Sequence, residues 1–100
     1  MDERLRRRFE DILNELARNA LLCRVDLGRE SNVRAVLAND ASVCGADNPV
    51  AFRQMRGLLI LHYVTRERAF ETLDPVEVQA IVANVAQGIR ERMERHGHGR

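Results

Sequence analysis

One hundred residues, 45% apolar and 31% charged, form one small globular domain and lie outside the range of disordered chains. The 16 basic residues are all arginine and 15 acids offset them, so a formal net charge of +1 supplies no global field toward nucleic acid or an anionic membrane. No apolar run approaches the roughly 20 residues of a membrane span, and no apolar signal core follows the charged N-terminus.

Two cysteines, Cys23 and Cys44, lack CxxC spacing and are too few for a disulfide framework. These features predict a cytoplasmic protein with reduced thiols. Residues 1–95 are expected to form a single helical domain, followed by a disordered tail over 96–100.

The first helix is predicted over residues 2–22. Leu5, Phe9, Ile12, Leu13, Leu16 and Ala20 fall in a stripe about 100° wide, the signature of a helix with one buried face. Arg4, Arg7, Arg8, Asp11, Glu15 and Arg18 share the opposite face. Glu3–Arg7 and Arg7–Asp11 are spaced as ion pairs, which makes this a solvated, salt-bridged face rather than a nucleic-acid patch.

Residues 23–27 (Cys-Arg-Val-Asp-Leu) alternate apolar and polar, and Gly28 ends the pattern. They read as an extended connector. Ser31 or Asn32 is placed to cap a short second helix carrying Val33, Val36 and Leu37, ending near Asn39. Residues 39–48 are rich in turn formers and read as a loop, a place where binding residues collect.

Asn48-Pro49 then restarts the chain as a cap followed by a proline at the first helical position. The third helix is predicted over 49–66, with 67–73 able to continue it. Its stretch Gly57-Leu58-Leu59-Ile60-Leu61-His62-Tyr63-Val64 carries no formal charge and is apolar on every side, as in a buried central helix. Asp74-Pro75-Val76-Glu77 combines a cap, a first-position proline and an acid in capping-box spacing. The fourth helix then carries one stripe: Val78, Ile81, Val82, Val85, Ala86, Ile89 and Met93. Its small residues Ala80, Ala83, Ala86 and Gly88 predict close approach of another helix, from this chain or a second copy.

The fold expected is all-α: a small four-helix, bundle-like domain with a buried central third helix. The alternative is an α+β arrangement pairing 23–27 with 58–64.

His62 lies among Met55, Leu58 and Leu59 on the helical wheel. It is either a haem or metal ligand or a neutral core histidine. Cys23 and Cys44 would add two soft ligands, or a disulfide, if connector and loop met in space. The intervening residues and helix argue against that meeting, and structural zinc sites bring their ligands in tight pairs that are missing here. His96 and His98 form a weak chelating tail. A helix-turn-helix around Gly45 is rejected because the connection is too long and the downstream helix too apolar. GxSxG, Walker, HExxH and GxGxxG patterns do not occur, so no enzyme and no cofactor are expected.

The function expected is that of a non-catalytic accessory subunit, adaptor or regulator that binds another protein, with a homodimer as one form. Residues 29–48, on a short and weakly docked helix, would supply an adjustable surface with Arg29, Arg34 and Asp47 at its rim. A small metal- or haem-binding protein using Cys23, Cys44 and His62 is the alternative. An RNA-binding accessory using the arginines is the third reading.

Overall fold

A computed structural model describes residues 3–45, 48–64 and 74–97, without the side chains of Leu5, His62, Tyr63, Val64 and His96. The described residues hold four helices: α1 (Glu3–Cys23), α2 (Glu30–Leu37), α3 (Pro49–Val64) and α4 (Pro75–Gly97). A 3₁₀ turn, Ala41–Val43, lies between α2 and α3. Both α1 and α2 pack against both α3 and α4, which closes an all-α bundle around one core. The described residues contain no strand, and residues 58–64 are helical, so the pairing of 23–27 with 58–64 is not formed. The continuation expected over 65–73 lies outside the described residues.

The helix starts follow the local chemistry. Asn48 Oδ1 accepts from the amide of Ala51 at 3.1 Å, and Asp74 Oδ1 accepts from the amide of Glu77 at 2.9 Å, each with proline next in the chain. The second helix departs from expectation. It begins at Glu30 with Arg29 in the cap position and no side-chain cap, so Ser31 and Asn32 lie inside it. Its entry is held from outside instead. Asp26 Oδ1 accepts from the amide of Gly28 at 2.8 Å, and Arg90 donates to the Gly28 carbonyl at 2.7 Å. Asn32 reaches back to the Asp26 carbonyl at 2.9 Å.

The core runs along the predicted stripes. Ile12, Leu13, Leu16 and Ala20 of α1 meet Ala51, Phe52, Met55 and Leu59 of α3, and Ile81, Val82, Val85, Ala86 and Ile89 of α4. Leu59 is fully buried, while Leu58, Ile60 and Leu61 around it are half-buried, and Leu58 and Leu61 pack against the core from its edge. Val50, in the first turn of α3, is exposed. Ala80 is exposed, while Gly88 is used within the chain. A Cβ there would lie 2.7 Å from Leu13 Cδ1, so Leu13 of α1 packs directly onto its backbone. That approach is within the chain.

The α4 stripe ends earlier than its periodicity suggests. Arg92, only 6% exposed, takes the inward position one turn after Ile89, and Met93 turns outward at 54% exposure. The Arg92 guanidinium donates through Nε to Asn14 Oδ1 at 2.9 Å and through Nη1 to the Gly88 carbonyl at 3.2 Å. Its Nη2 donates to the Glu10 carbonyl at 3.3 Å and pairs with the Glu10 carboxylate. A buried cation is tolerated when its donors are matched in this way. It ties the C-terminal half of α4 to α1.

At the end of α1 the chain reverses through a Schellman motif. The amide of Val25 bonds to the Ala20 carbonyl at 3.0 Å and that of Arg24 to the Leu21 carbonyl at 3.2 Å. Arg24 therefore adopts φ 52°, the left-handed region in which glycine is unstrained. The same turn closes α2, where the left-handed residue is Asn39 at φ 62°, a better fit.

Two outcomes follow for stability. Leu59→Asp buries an unpaired charge in the core, costs several kcal/mol and abolishes cooperative thermal unfolding monitored by helical circular dichroism. Arg24→Gly relieves the left-handed strain and raises stability by about 1 kcal/mol, read as a midpoint increase in urea unfolding.

Candidate functional site: a groove and a thiol pair at the end of α1

The connector after α1 keeps the alternation seen in the sequence. Cys23, Val25 and Leu27 are buried, and Arg24 and Asp26 are exposed. Because the connector turns back under the bundle, its apolar side chains form part of a wall between α1 and α4. That wall bounds an open groove of about 950 Å³. Ala17, Ala20 and Leu21 of α1, Val25 and Leu27 of the connector, and Ile89 and Met93 of α4 line it.

Leu21 stands 80% exposed beside this groove, and Met93 faces it from α4. Arg18, Arg24 and Asp26 line it as well, and so do Asn14 and the buried Arg92. The Asp26 carboxylate is engaged locally: it accepts from the Gly28 amide and lies 3.8 Å from Arg29 Nε. Arg18 pairs with Glu15. The groove is thus an apolar trough with arginines along its edge.

The other end of the connector meets the segment after the 3₁₀ turn. The amide of Gly45 donates to the Cys23 carbonyl at 2.7 Å. A Cβ on residue 45 would lie 3.0 Å from the Arg24 carbonyl oxygen and 3.1 Å from Arg24 Cβ, so glycine permits this approach. Asp40 shapes the turn that delivers the segment. Its carboxylate accepts from the Ser42 hydroxyl at 2.6 Å and from the Ser42 amide at 3.1 Å, and these bonds hold it below the usual carboxylate range.

Cys23 and Cys44 come together here, against the expectation that the intervening helix would keep them apart. Cys44 is a near neighbour of the Cys23 thiol, close enough to shift it. Both are free thiols; Cys23 is fully buried, and Cys44 is half-buried against the same core. The Cys23 sulfur also lies 4.0 Å from the Asn48 carbonyl oxygen. Burial pushes the Cys23 thiol up to about 12, and the neighbouring Cys44 adds to that shift.

The remaining predicted site residues fare differently. Arg29 and Arg34 are exposed at the start and on the outer face of α2. Asp47 lies outside the described residues, as do the His62 side chain, the His96 side chain and His98. The structure therefore joins Cys23 with Cys44 and gives no position for a third ligand from His62. No group of three metal-ligating side chains occurs among the described residues.

The second helix packs against α3 and α4. Val33, Val36 and Leu37 are buried, and both of its ends are bonded to neighbouring helices. Gln79 donates to Glu30 at 2.6 Å and Arg56 to the Leu37 carbonyl at 3.3 Å.

On α1, Arg6 bonds both carboxylate oxygens of Glu3 at 2.8 Å, and Arg7 lies 3.8 Å from the same group. The expected Glu3 partner, Arg7, is thus second to Arg6. Among the described residues no helix is long and apolar enough to cross a membrane. The chain matches no protein-family model, no curated protein and no solved structure.

The pH response of the buried thiol has a definite sign. Its folded-state value is raised, so the stability it contributes is complete below about pH 9 and is lost as pH rises toward 12. Urea unfolding of the reduced protein between pH 8 and about 11 should show a downward stability slope that Cys23→Ala makes shallower.

Proposed function

We propose that this protein is a non-catalytic binding module that receives an apolar helical segment of another protein in the groove between α1 and α4. The observation carrying this reading is the coincidence of an apolar trough with Leu21 and Met93 exposed at its side. Large apolar side chains held out of the core beside a concave apolar surface are characteristic of interaction sites.

The edge charges define the partner further. Arg24 is exposed there, while the Asp26 charge is offset by Arg29, so the edge favours anions. The matching ligand is an amphipathic helix with apolar residues at i, i+3, i+4 and i+7 and acidic residues flanking them, the helix-in-groove mode. Arginine at an interface edge adds bidentate contacts to carboxylates.

This reading moves the contact surface from residues 29–48 to residues 14–27 and 89–93. Arg29 remains nearby through its pairing with Asp26, and Arg34 is not part of the groove lining.

The test is selection from a library of amphipathic helical peptides, followed by amide hydrogen exchange on the complex. Protection should concentrate in 14–27 and 89–93. Leu21→Asp, on an exposed position, should leave the melting temperature within a few degrees and weaken the selected peptide at least tenfold, more than about 1.4 kcal/mol. Protection confined to α2, or binding unchanged in Leu21→Asp, overturns the reading. Concentration-dependent dimerisation lost in the same variant would assign the groove to a second copy of the chain instead.

A further inference from the structure

We infer that Cys23 and Cys44 form a peroxide-responsive dithiol site that closes reversibly to an intramolecular disulfide. The inference is independent of what the groove binds. It rests on three features of the geometry. The Gly45 amide is bonded to the Cys23 carbonyl at 2.7 Å, which fixes the two cysteine backbones side by side. Both side chains pack at the same core cluster, Cys23 inside it and Cys44 against it. Gly45 lies so close to Arg24 that a Cβ there would need the neighbouring backbone to give by a few tenths of an ångström.

The two sulfurs differ in the way a two-step oxidation requires. Cys44 is half-buried and accessible to a small oxidant, while Cys23 is fully buried beneath it. Cys44 is the entry thiol and Cys23 the resolving thiol. In the first step the Cys44 sulfur attacks one oxygen of a hydroperoxide. The O–O bond breaks, giving a sulfenic acid and water or an alcohol.

In the second step the Cys23 sulfur attacks the Cys44 sulfur. The S–O bond breaks, and the departing hydroxide takes the Cys23 proton and leaves as water. Two thiols are oxidised and one hydroperoxide is reduced. A dithiol reductant reverses the bond by exchange. Burial keeps Cys23 protonated, so Cys44 is the thiol that meets the oxidant first.

The product closes a loop that contains the connector, α2 and the 3₁₀ turn. It braces the C-terminal end of α1 to the segment before α3. Such a loop restricts the unfolded chain strongly, so the oxidised form should melt on the order of 10 °C above the reduced form.

The experiment treats the full-length reduced protein with stoichiometric hydrogen peroxide, then counts thiols by alkylation and maps the peptides. Peptide mapping separates cysteine chemistry from oxidation of the exposed Met93. The expected result is a monomer with both thiols blocked, a Cys23–Cys44 cross-linked peptide about 2 Da lighter than its parts, and full recovery with dithiothreitol. In Cys44→Ser, Cys23 should stay unmodified at the same dose. In Cys23→Ser, Cys44 should stop at a sulfenic acid trapped by dimedone.

Three results overturn the inference: two alkylatable thiols after peroxide, a disulfide-linked dimer, or direct conversion of Cys44 to a sulfinic acid about 32 Da heavier. The wild-type and Cys44→Ser measurements decide the matter even if Cys23→Ser does not fold.

Discussion

The reversal at the end of α1 is the constraint on which the rest of the structure depends. Placing Arg24 at φ 52° turns the connector back beneath the helix it has just left. Val25 and Leu27 can then bury themselves, and Cys23 can offer its carbonyl to Gly45. A straighter exit would leave the alternating apolar residues of the connector in water. The left-handed arginine costs roughly 1–2 kcal/mol locally. Burying the Val25 and Leu27 side chains, at roughly 1.5–3 kcal/mol each, outweighs that cost. The strain is sustained because the segments on both sides over-determine it.

Arg92 is the second organising feature, and it works by a different physics. An apolar residue at that position would complete the α4 stripe, yet an arginine is buried there. Its matched donors reach α1 at Asn14 and Glu10 and its own helix at Gly88. Close approach at Gly88, where Leu13 rests on the backbone, brings the two helices near enough for the guanidinium to bridge them. The same rotation of α4 turns Met93 outward into the groove. Core packing and the character of the proposed binding surface are therefore set by one rotational choice.

The groove and the thiol pair flank the same turn but ask for different chemistry. Along the groove, Ala20, Leu21, Val25 and Met93 offer apolar contact, and Arg24 offers charge. Beside Gly45, a buried and a half-buried sulfur meet at the bundle's interior edge. Both sites depend on the connector's path, since residues 20–25 wall the first and anchor the second.

Local information in the chain was sufficient for the stripe of α1 and for the starts of α3 and α4. Asn48-Pro49 and Asp74-Pro75 start α3 and α4 because a side-chain acceptor and a fixed proline φ act within one turn. The stripe from Ile12 to Ala20 and that from Ile81 to Ile89 are buried as their spacing requires. Even the alternation over 23–27 was legible, as burial without a strand.

The start of α2 was not legible, because its stabilising partner Arg90 comes from a distant part of the chain. Nor was the inward turn of Arg92, since periodicity ranks residues by hydropathy and cannot see that Asn14 and Glu10 will meet the guanidinium. The meeting of Cys23 with Cys44 left no sequence signal at all beyond Gly45. It follows from the direction in which the connector leaves α1 and the 3₁₀ turn enters α3. Residue spacing determines which face of a helix is apolar, because that depends on neighbours a turn away. Which distant backbones touch depends on the packing of all four helices together, and only the tertiary structure decided it.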